Sequence, residues 1–417
     1  LSMKELEGRK IALLPAWTKW LSSLPSGKGA ASYRLEAVRS DLEAEVAVCP
    51  SSSYDDAYAF LEELDSHLPL PDRTLTLKEM AAEVWRTMLQ ILPLEEEARR
   101  AGLLNNLGNA LSNQGRRDEA LCITEEAAEI YRGLAKANPQ TFLPDLATTL
   151  SNLGIKLYNQ GAREKALDAA QEAVDIQRKF DEKTNPKVFM PGLARCLNNL
   201  STILSALGRK EKALDLAQES VAINKQLAES NPQIFLPDLA VSLYTLGRRL
   251  SELNQRKEAL DAVQKVVDIY KQLVWSNFQA FLPDLAASLN NLGGRLSDLG
   301  RWEEALAAAQ ESVNIRRRLV ESNPPAFLPD LAASLNNLGK TLSFLRRGEE
   351  ALAAAQECVN IHRRLAETNP QAFLPDLAMS LNNLSLGLSN LGQRREALAV
   401  VEEAVAIRRK LADANPQ

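Results

Sequence analysis

Histidine and cysteine are scarce in these 417 residues: His67 and His362, and Cys49, Cys122, Cys196 and Cys358. The four cysteines are widely separated and form no paired metal or redox motif, which points to free thiols in a reducing compartment. No apolar run approaches the roughly 18 residues that span a bilayer. The stretch from Ile11 to Leu24 is interrupted by Lys19 and two tryptophans, so it does not read as a signal peptide. A basic surplus is also missing. Lys and Arg number 49 against 54 Asp and Glu, a formal net charge of -5, which gives no electrostatic case for nucleic acid or an anionic membrane. Gly27-Lys28-Gly29 has neither the upstream glycine nor the following Ser or Thr of a phosphate-binding loop. The expectation is a cytoplasmic protein without cofactor, metal, membrane or nucleic-acid partner. Hydrophobic residues at 45% and charged residues at 25% are ordinary for a folded chain.

What is present is a repeat. Phe281-Leu282-Pro283-Asp284-Leu285-Ala286-Ala287-Ser288-Leu289-Asn290-Asn291-Leu292-Gly293 returns almost letter for letter from Phe327 to Gly339, and in looser form elsewhere. Leu104, Leu150, Leu197, Leu243, Leu289, Leu335 and Leu381 mark one position per copy, spaced by 46 residues five times and by 47 once. The extra residue falls in Phe180-Asp181-Glu182-Lys183-Thr184, at a predicted helix end, where a loop absorbs it.

One copy reads as a helix hairpin. Leu285, Leu289, Leu292 and Leu296 step by four, three and four, a single helical stripe. Pro283-Asp284 suits the first turn of that helix. Gly300 ends it, and Arg301-Trp302-Glu303-Glu304 opens a second helix of about 20 residues, which Asn323-Pro324 stops. An Ala-Leu pair, Ala305-Leu306 here, recurs without exception in seven copies. A small side chain beside a large one at every beat implies close crossing of neighbouring helices.

These residues resemble the tetratricopeptide repeat: Leu107-Gly108, Gly115 and Glu119-Ala120-Leu121 in one copy, Leu292-Gly293, Gly300 and Glu303-Glu304-Ala305-Leu306 in another. The resemblance covers residues from about 98 to 417. The usual unit is 34 residues, and the extra twelve are assigned to a longer second helix and to the Asn-Pro-x-x-Phe-Leu-Pro-Asp connection. The Leu-Asn-Asn-Leu core in a lengthened unit is similar to kinesin light chain repeats and to repeat tails of proteins that carry a nucleotide-switch or caspase-like domain elsewhere. The resemblance implies an all-α, right-handed superhelical solenoid of antiparallel helix hairpins that acts as a scaffold for a protein or peptide partner. Regulatory arm of a larger enzyme and self-assembling spacer are the alternatives.

By domain, 98-417 holds seven tandem repeats. Residues 75-97 read as the second helix of a degenerate first repeat, because Met80 to Arg86 matches Glu126 to Arg132 in type; 1-74 reads as a helical N-terminal region, non-repeat or highly degenerate, in which a helix after Ser53 is a candidate partner for that second helix. Leu398 to Leu411 is as apolar as any internal second helix, so the expectation is either a fragment of a longer chain or end-to-end self-association through an uncapped last repeat.

The candidate site follows from the same register. The leucines of the first helix face the core, so the asparagines beside them flank that stripe. In the resembling repeats such asparagines line the concave face and hydrogen-bond a bound main chain, since an amide both donates and accepts. The candidates are Asn106, Asn152, Asn199, Asn291, Asn337 and Asn383; the competing reading is that they tie neighbouring first helices together. Arg248, Arg249, Arg295 and Lys340 follow this element, with Glu252 and Asp298 nearby. They either give the groove a preference for acidic peptides or form internal ion pairs. Arg316-Arg317-Arg318 is placed in a last helical turn, as a solvated edge matched to the helix dipole. Cys358 and His362 stand one helical turn apart. Their counterparts Ser312 with Arg316 and Ala404 with Arg408 make Cys358 a core filler and His362 an exposed residue, and no catalytic constellation emerges. Tyr244-Thr245, Asn254 and Arg346 break the pattern and are read as local bends.

Overall fold

The computed structural model describes residues 95–181, 186–276, 278–322 and 324–414, with part of 82–93. The expectations for 1-74 and for Glu182 to Thr184 lie outside these residues. Fourteen α-helices run through the described residues: α1 (Glu97–Asn113), α2 (Arg117–Ala137), α3 (Pro139–Asn159), α4 (Arg163–Asp181), α5 (Pro186–Ala206), α6 (Lys210–Ser230), α7 (Pro232–Glu252), α8 (Arg256–Ser276), α9 (Phe278–Asp298), α10 (Trp302–Ser322), α11 (Pro324–Phe344), α12 (Gly348–Thr368), α13 (Pro370–Asn390) and α14 (Arg394–Ala414). They form consecutive hairpins, an odd helix followed by an even one. The chain divides within α6 into two compact units, 1–223 and 224–417.

The first helix of each pair begins earlier than the sequence places it. α9 starts at Phe278, five residues before Pro283, and α3, α5, α7, α11 and α13 start at the proline of Asn-Pro. That proline takes the first helical position, where no amide hydrogen is needed. Asn138 and Asn369 cap their helices, accepting from the amides of Thr141 and Ala372 at 3.4 and 3.3 Å. The same asparagines close the preceding helices, so one residue joins two hairpins. The Asn-Pro-x-x-Phe-Leu-Pro-Asp segment is therefore helix and not connection. Two helices of 21 residues make up most of the repeat, as in α7 and α8. The proline of Pro-Asp lies inside the helix, where its missing donor removes only one bond of the ladder.

Inside each hairpin the turn is a left-handed cap. The amide of Gly161 bonds the Tyr158 carbonyl at 2.9 Å and that of Ala162 the Leu157 carbonyl at 3.0 Å, with Gly161 at φ +83. Asn254 and Arg346 adopt the same conformation, φ 61 and 59, with the same bonds, Gln255 to Leu250 at 2.9 Å and Arg347 to Leu342 at 3.0 Å. The turn itself is therefore unchanged at these two positions, because the hydrogen bonds hold the left-handed geometry even where the residue is not glycine.

The helices of a hairpin meet at the Leu-Gly element. A Cβ at Gly154 would sit 3.1 Å from the Ala166 carbonyl oxygen, and one at Gly293 would sit 3.3 Å from that of Ala305. Where serine replaces the glycine, Ser201 turns the close approach into a bond, donating to the Ala213 carbonyl at 2.7 Å. This explains the invariant alanine: Ala166, Ala213 and Ala305 are fully buried under the crossing.

Candidate functional site

The second asparagine of each pair reaches back to the previous copy. Asn152 donates to Asn105 at 3.0 Å, Asn337 to Asn290 at 3.0 Å and Asn383 to Asn336 at 2.6 Å, while Asn199 donates to the Ser151 hydroxyl at 2.9 Å. All four donors are half-buried on odd helices. The amide thus has a structural use, tying first helices together, which was the competing sequence reading. Asn291 is half-buried as well, but in the fourth copy Tyr244 replaces the asparagine that would accept from it. Asn106 is exposed.

The four basic candidates part company. Arg249 is buried and lies 3.3 Å from Glu252; Arg295 lies 3.2 Å from Asp298 and also donates to the Ser251 hydroxyl. Arg248 and Lys340 are exposed, with no ion pair among the described residues. Of the four candidates, these two present free cations to the open face of the odd helices. Sequence reasoning missed Lys156, buried beside Asn109 with its ammonium 2.7 Å from the amide oxygen. Burial pulls its pKa down to about 8. It also missed the apolar members of the same face, Val241, Tyr244, Met379 and Leu386, all exposed.

A second set of polar residues, buried except for the half-buried Tyr270, lies on the even helices, eleven positions after the invariant alanine: Tyr131, Gln177, Asn224, Tyr270, Arg316 and His362. Each faces the Pro-Asp region of the following odd helix. Arg316 lies 2.6 Å from Asp330, and Asn224 donates to the Ser242 hydroxyl at 2.6 Å. In the third copy glycine replaces the aspartate, and a Cβ at Gly192 would come 2.8 Å from the Gln177 amide. Burial, and then Asp145, pushes the Tyr131 hydroxyl up to about 12.

His362 belongs to this set and is buried, not exposed as its arginine counterparts led the sequence reading to place it. The covering helix α13 sets the Ser380 hydroxyl 3.2 Å from its Nδ1. Cys358 donates to the Ala332 carbonyl at 3.3 Å, and burial pushes its thiol up to about 11. Such a thiol is protonated at neutral pH. Among the described residues no group of three or more His, Cys, Asp or Glu side chains is arranged to hold a metal.

The arginine triplet is also placed differently. α10 runs on to Ser322, so Arg316 to Arg318 precede its last turn. Arg316 is interior, and Arg317 pairs with Glu357 at 2.7 Å. The same pairing joins Arg132 to Glu172, Arg178 to Glu219 and Arg363 to Glu403, each at 2.7 Å, and Lys271 to Glu311 at 3.7 Å. Arg317 and Arg318 are exposed, so that edge is solvated as expected, but Arg317 and its counterparts also pair with acids of the next even helix, and they lie before the last turn. Among the described residues no helix is long and apolar enough to cross a membrane.

Seven consecutive antiparallel hairpins, crossing at Leu-Gly and closed by left-handed turns, define an α-helical repeat protein. The model of the tetratricopeptide repeat matches residues 100–138, 146–179, 193–233, 239–274, 285–326, 331–371 and 377–416, and the chain belongs to that family. No curated protein matches it in sequence. Among solved structures, BtubC (BKLC) from P. vanneervenii is similar at 19% identity, over 61% of this chain and 94% of that one, with a TM-score of 0.51. A putative kinesin light chain from Podosopora anserina with nearly identical TPR-like repeats gives 22% identity, 53% and 97% coverage and a TM-score of 0.44. A Rap protein complexed with competence and sporulation factor gives 15% identity, 92% and 100% coverage and 0.49.

Proposed function

We propose that this chain is a non-catalytic scaffold that holds an extended segment of a partner protein, of acidic character, across the exposed face of α7, α9 and α11. The family is one whose members mediate protein–protein contacts, which supports the coarse reading. The observation that carries the finer one is the sorting of charge on this face. Arg249 and Arg295 are neutralised by Glu252 and Asp298, whereas Arg248 and Lys340 stand exposed on either side of α9 in the repeat register. Between them Gly294 has nothing within 4 Å of where a Cβ would be. A glycine inside a helix costs about 1 kcal/mol relative to alanine, and here it leaves room for a backbone to come close. Asn291, whose register partner is Tyr244, offers its amide to that backbone.

The test uses peptides selected from a phage-displayed library on the full chain. Selected sequences are expected to be enriched in Asp and Glu, and to bind at least about tenfold more weakly to Arg248→Glu/Lys340→Glu. Asn291→Ala should weaken them without loss of helicity, since Tyr244 breaks the asparagine ladder there. Asn337→Ala and Asn383→Ala make a less clean test, because each also removes a bond between copies. Equal binding by the charge-reversed chain would sink this reading.

A further inference from the structure

On six even helices, α2 to α12, one polar residue faces the odd helix that follows, and its charge is settled in one of two ways. Tyr131, Gln177, Asn224 and Tyr270 are uncharged side chains, whereas Arg316 is a buried cation that Asp330 answers at 2.6 Å. His362 on α12 is the one that passes between the two kinds near neutral pH. Its Nδ1 lies 3.2 Å from the Ser380 hydroxyl of α13 and 3.7 Å from the Cys358 sulfur. The hydroxyl donates to the Leu377 carbonyl at 3.0 Å and the thiol to the Ala332 carbonyl at 3.3 Å. Both hydrogens are thus committed, and a neutral imidazole that donates from Nδ1 to Ser380 satisfies the interface.

The charged form has no such provision. Asp376 stands on α13 at the register of Asp330, yet His362 makes no ion pair among the described residues. The other titratable groups here do not supply a counterion. Cys358 is an uncharged thiol, and Glu357 and Arg363, on either side of it along α12, pair with Arg317 of α10 and Glu403 of α14. Burial holds the imidazole below its ordinary 6.5, and Asp376, which acts in the opposite sense, does not cancel the effect. An opened interface therefore takes up a proton at pH values where the packed one does not. The packing is at full strength above pH 6.5 and weakens as pH falls below it.

We propose that the interface of α12 with α13 is an acid-sensitive seam: protonation of His362 sets a buried cation against Ser380 where no carboxylate meets it, and α13 loosens from α12. The neighbouring seam, where Arg316 meets Asp330, holds because its cation is permanent and paired. Asn383 lies one turn beyond Ser380 on α13 and donates to Asn336 of α11 at 2.6 Å, so the loosening also reaches the tie between these odd helices. Mild acidification would thus alter one end of the odd-helix face and leave α7 and α9 as they are.

Amide exchange of the full chain is followed from pH 7.5 to 5.5, each rate divided by the intrinsic rate at that pH. Exchange in α13 is expected to quicken about fivefold or more, while α9 and α10 stay within about twofold. His362→Gln puts the side chain of Gln177 at this register and should remove the response; His362→Tyr, after Tyr131, serves as a second neutral variant if the first does not fold. His362→Arg, a permanent cation with Asp376 at the register of Asp330, should be flat as well. Asp376→Asn should enlarge the response, since the carboxylate that favours the imidazolium is gone. A flat response in the unaltered chain, or one that the neutral variants leave in place, would overturn the proposal.

Discussion

At the scale of the residue, the left-handed turns separate what geometry demands from what the side chain prefers. Five glycines and Asn254 meet the demand at little cost, and Arg346 meets it at φ 59 against its own sterics. The hydrogen bonds of the cap persist, so the strain is stored and not relieved. Arg346→Gly should therefore stabilise the sixth hairpin by about 0.5–1 kcal/mol, the gain in φ outweighing the added freedom of the unfolded chain. Gly161→Ala should cost about 1 kcal/mol at φ +83. Urea titrations with reporters in each hairpin would check both. Lys156 gives a pH signature. Its pKa is about 8 in the fold against an ordinary lysine value of 10.5, so the unfolded chain binds more protons between these values and stability rises with pH through that window. The Cys196 and Cys358 thiols, raised to about 11 from 9, act in the opposite sense only above pH 9. A rise in urea midpoint from pH 7.5 to 9, absent in Lys156→Met, is the expected outcome.

At the scale of the element, the repeat was legible in the sequence because the leucine stripe, the Leu-Gly crossing and the turn glycine each rest on local chemistry. The helix start was not, since two prolines such as Pro232 and Pro237 both suit a first turn, and the helix takes the earlier one even where the asparagine makes no cap bond. Buried polar groups were hidden for another reason. His362 and Arg316 look exposed on a helical wheel, and only the following helix, with Ser380 or Asp330, makes them interior. The asparagines were half legible: their position on the flank of the stripe was clear, but not the 47-residue reach that occupies their amide hydrogens. Two substitutions test the crossings. Gly154→Val places methyl groups against the Ala166 carbonyl and the Ala170 methyl and should cost about 2–3 kcal/mol, while Gly154→Ser should be milder because Ser201 shows the bond it can make. In the ion-pair ladder, Lys265 stands in register where Glu172, Glu219, Glu311, Glu357 and Glu403 stand in other copies, and faces the register position of Lys225. Lys265→Glu should add up to about 0.5 kcal/mol, and high salt should erase the gain.

At the scale of the whole molecule, the described helices pack chiefly against near neighbours. α3 touches α2 and α4 within its run of hairpins, and α1 and α5 as adjacent odd helices, and α11 touches α9, α10, α12 and α13. Stability in such a chain is a sum of hairpin terms and interface terms, so a local defect spreads by loosening the next interface and decays with distance. Leu150, fully buried in the middle of α3, is a suitable place to introduce one. Leu150→Ala should remove about 2–5 kcal/mol from its own hairpin. Amide exchange should quicken most in α3 and α4, less in α1, α2 and α5, and not at all in α11 to α14, which share no core cluster with Leu150. Uniform acceleration along the chain would mean that the two compact units unfold as one, and the additive description would fail. A graded response would show that each hairpin keeps its own stability, and that a partner bound on one set of hairpins stabilises those and their neighbours without holding the rest.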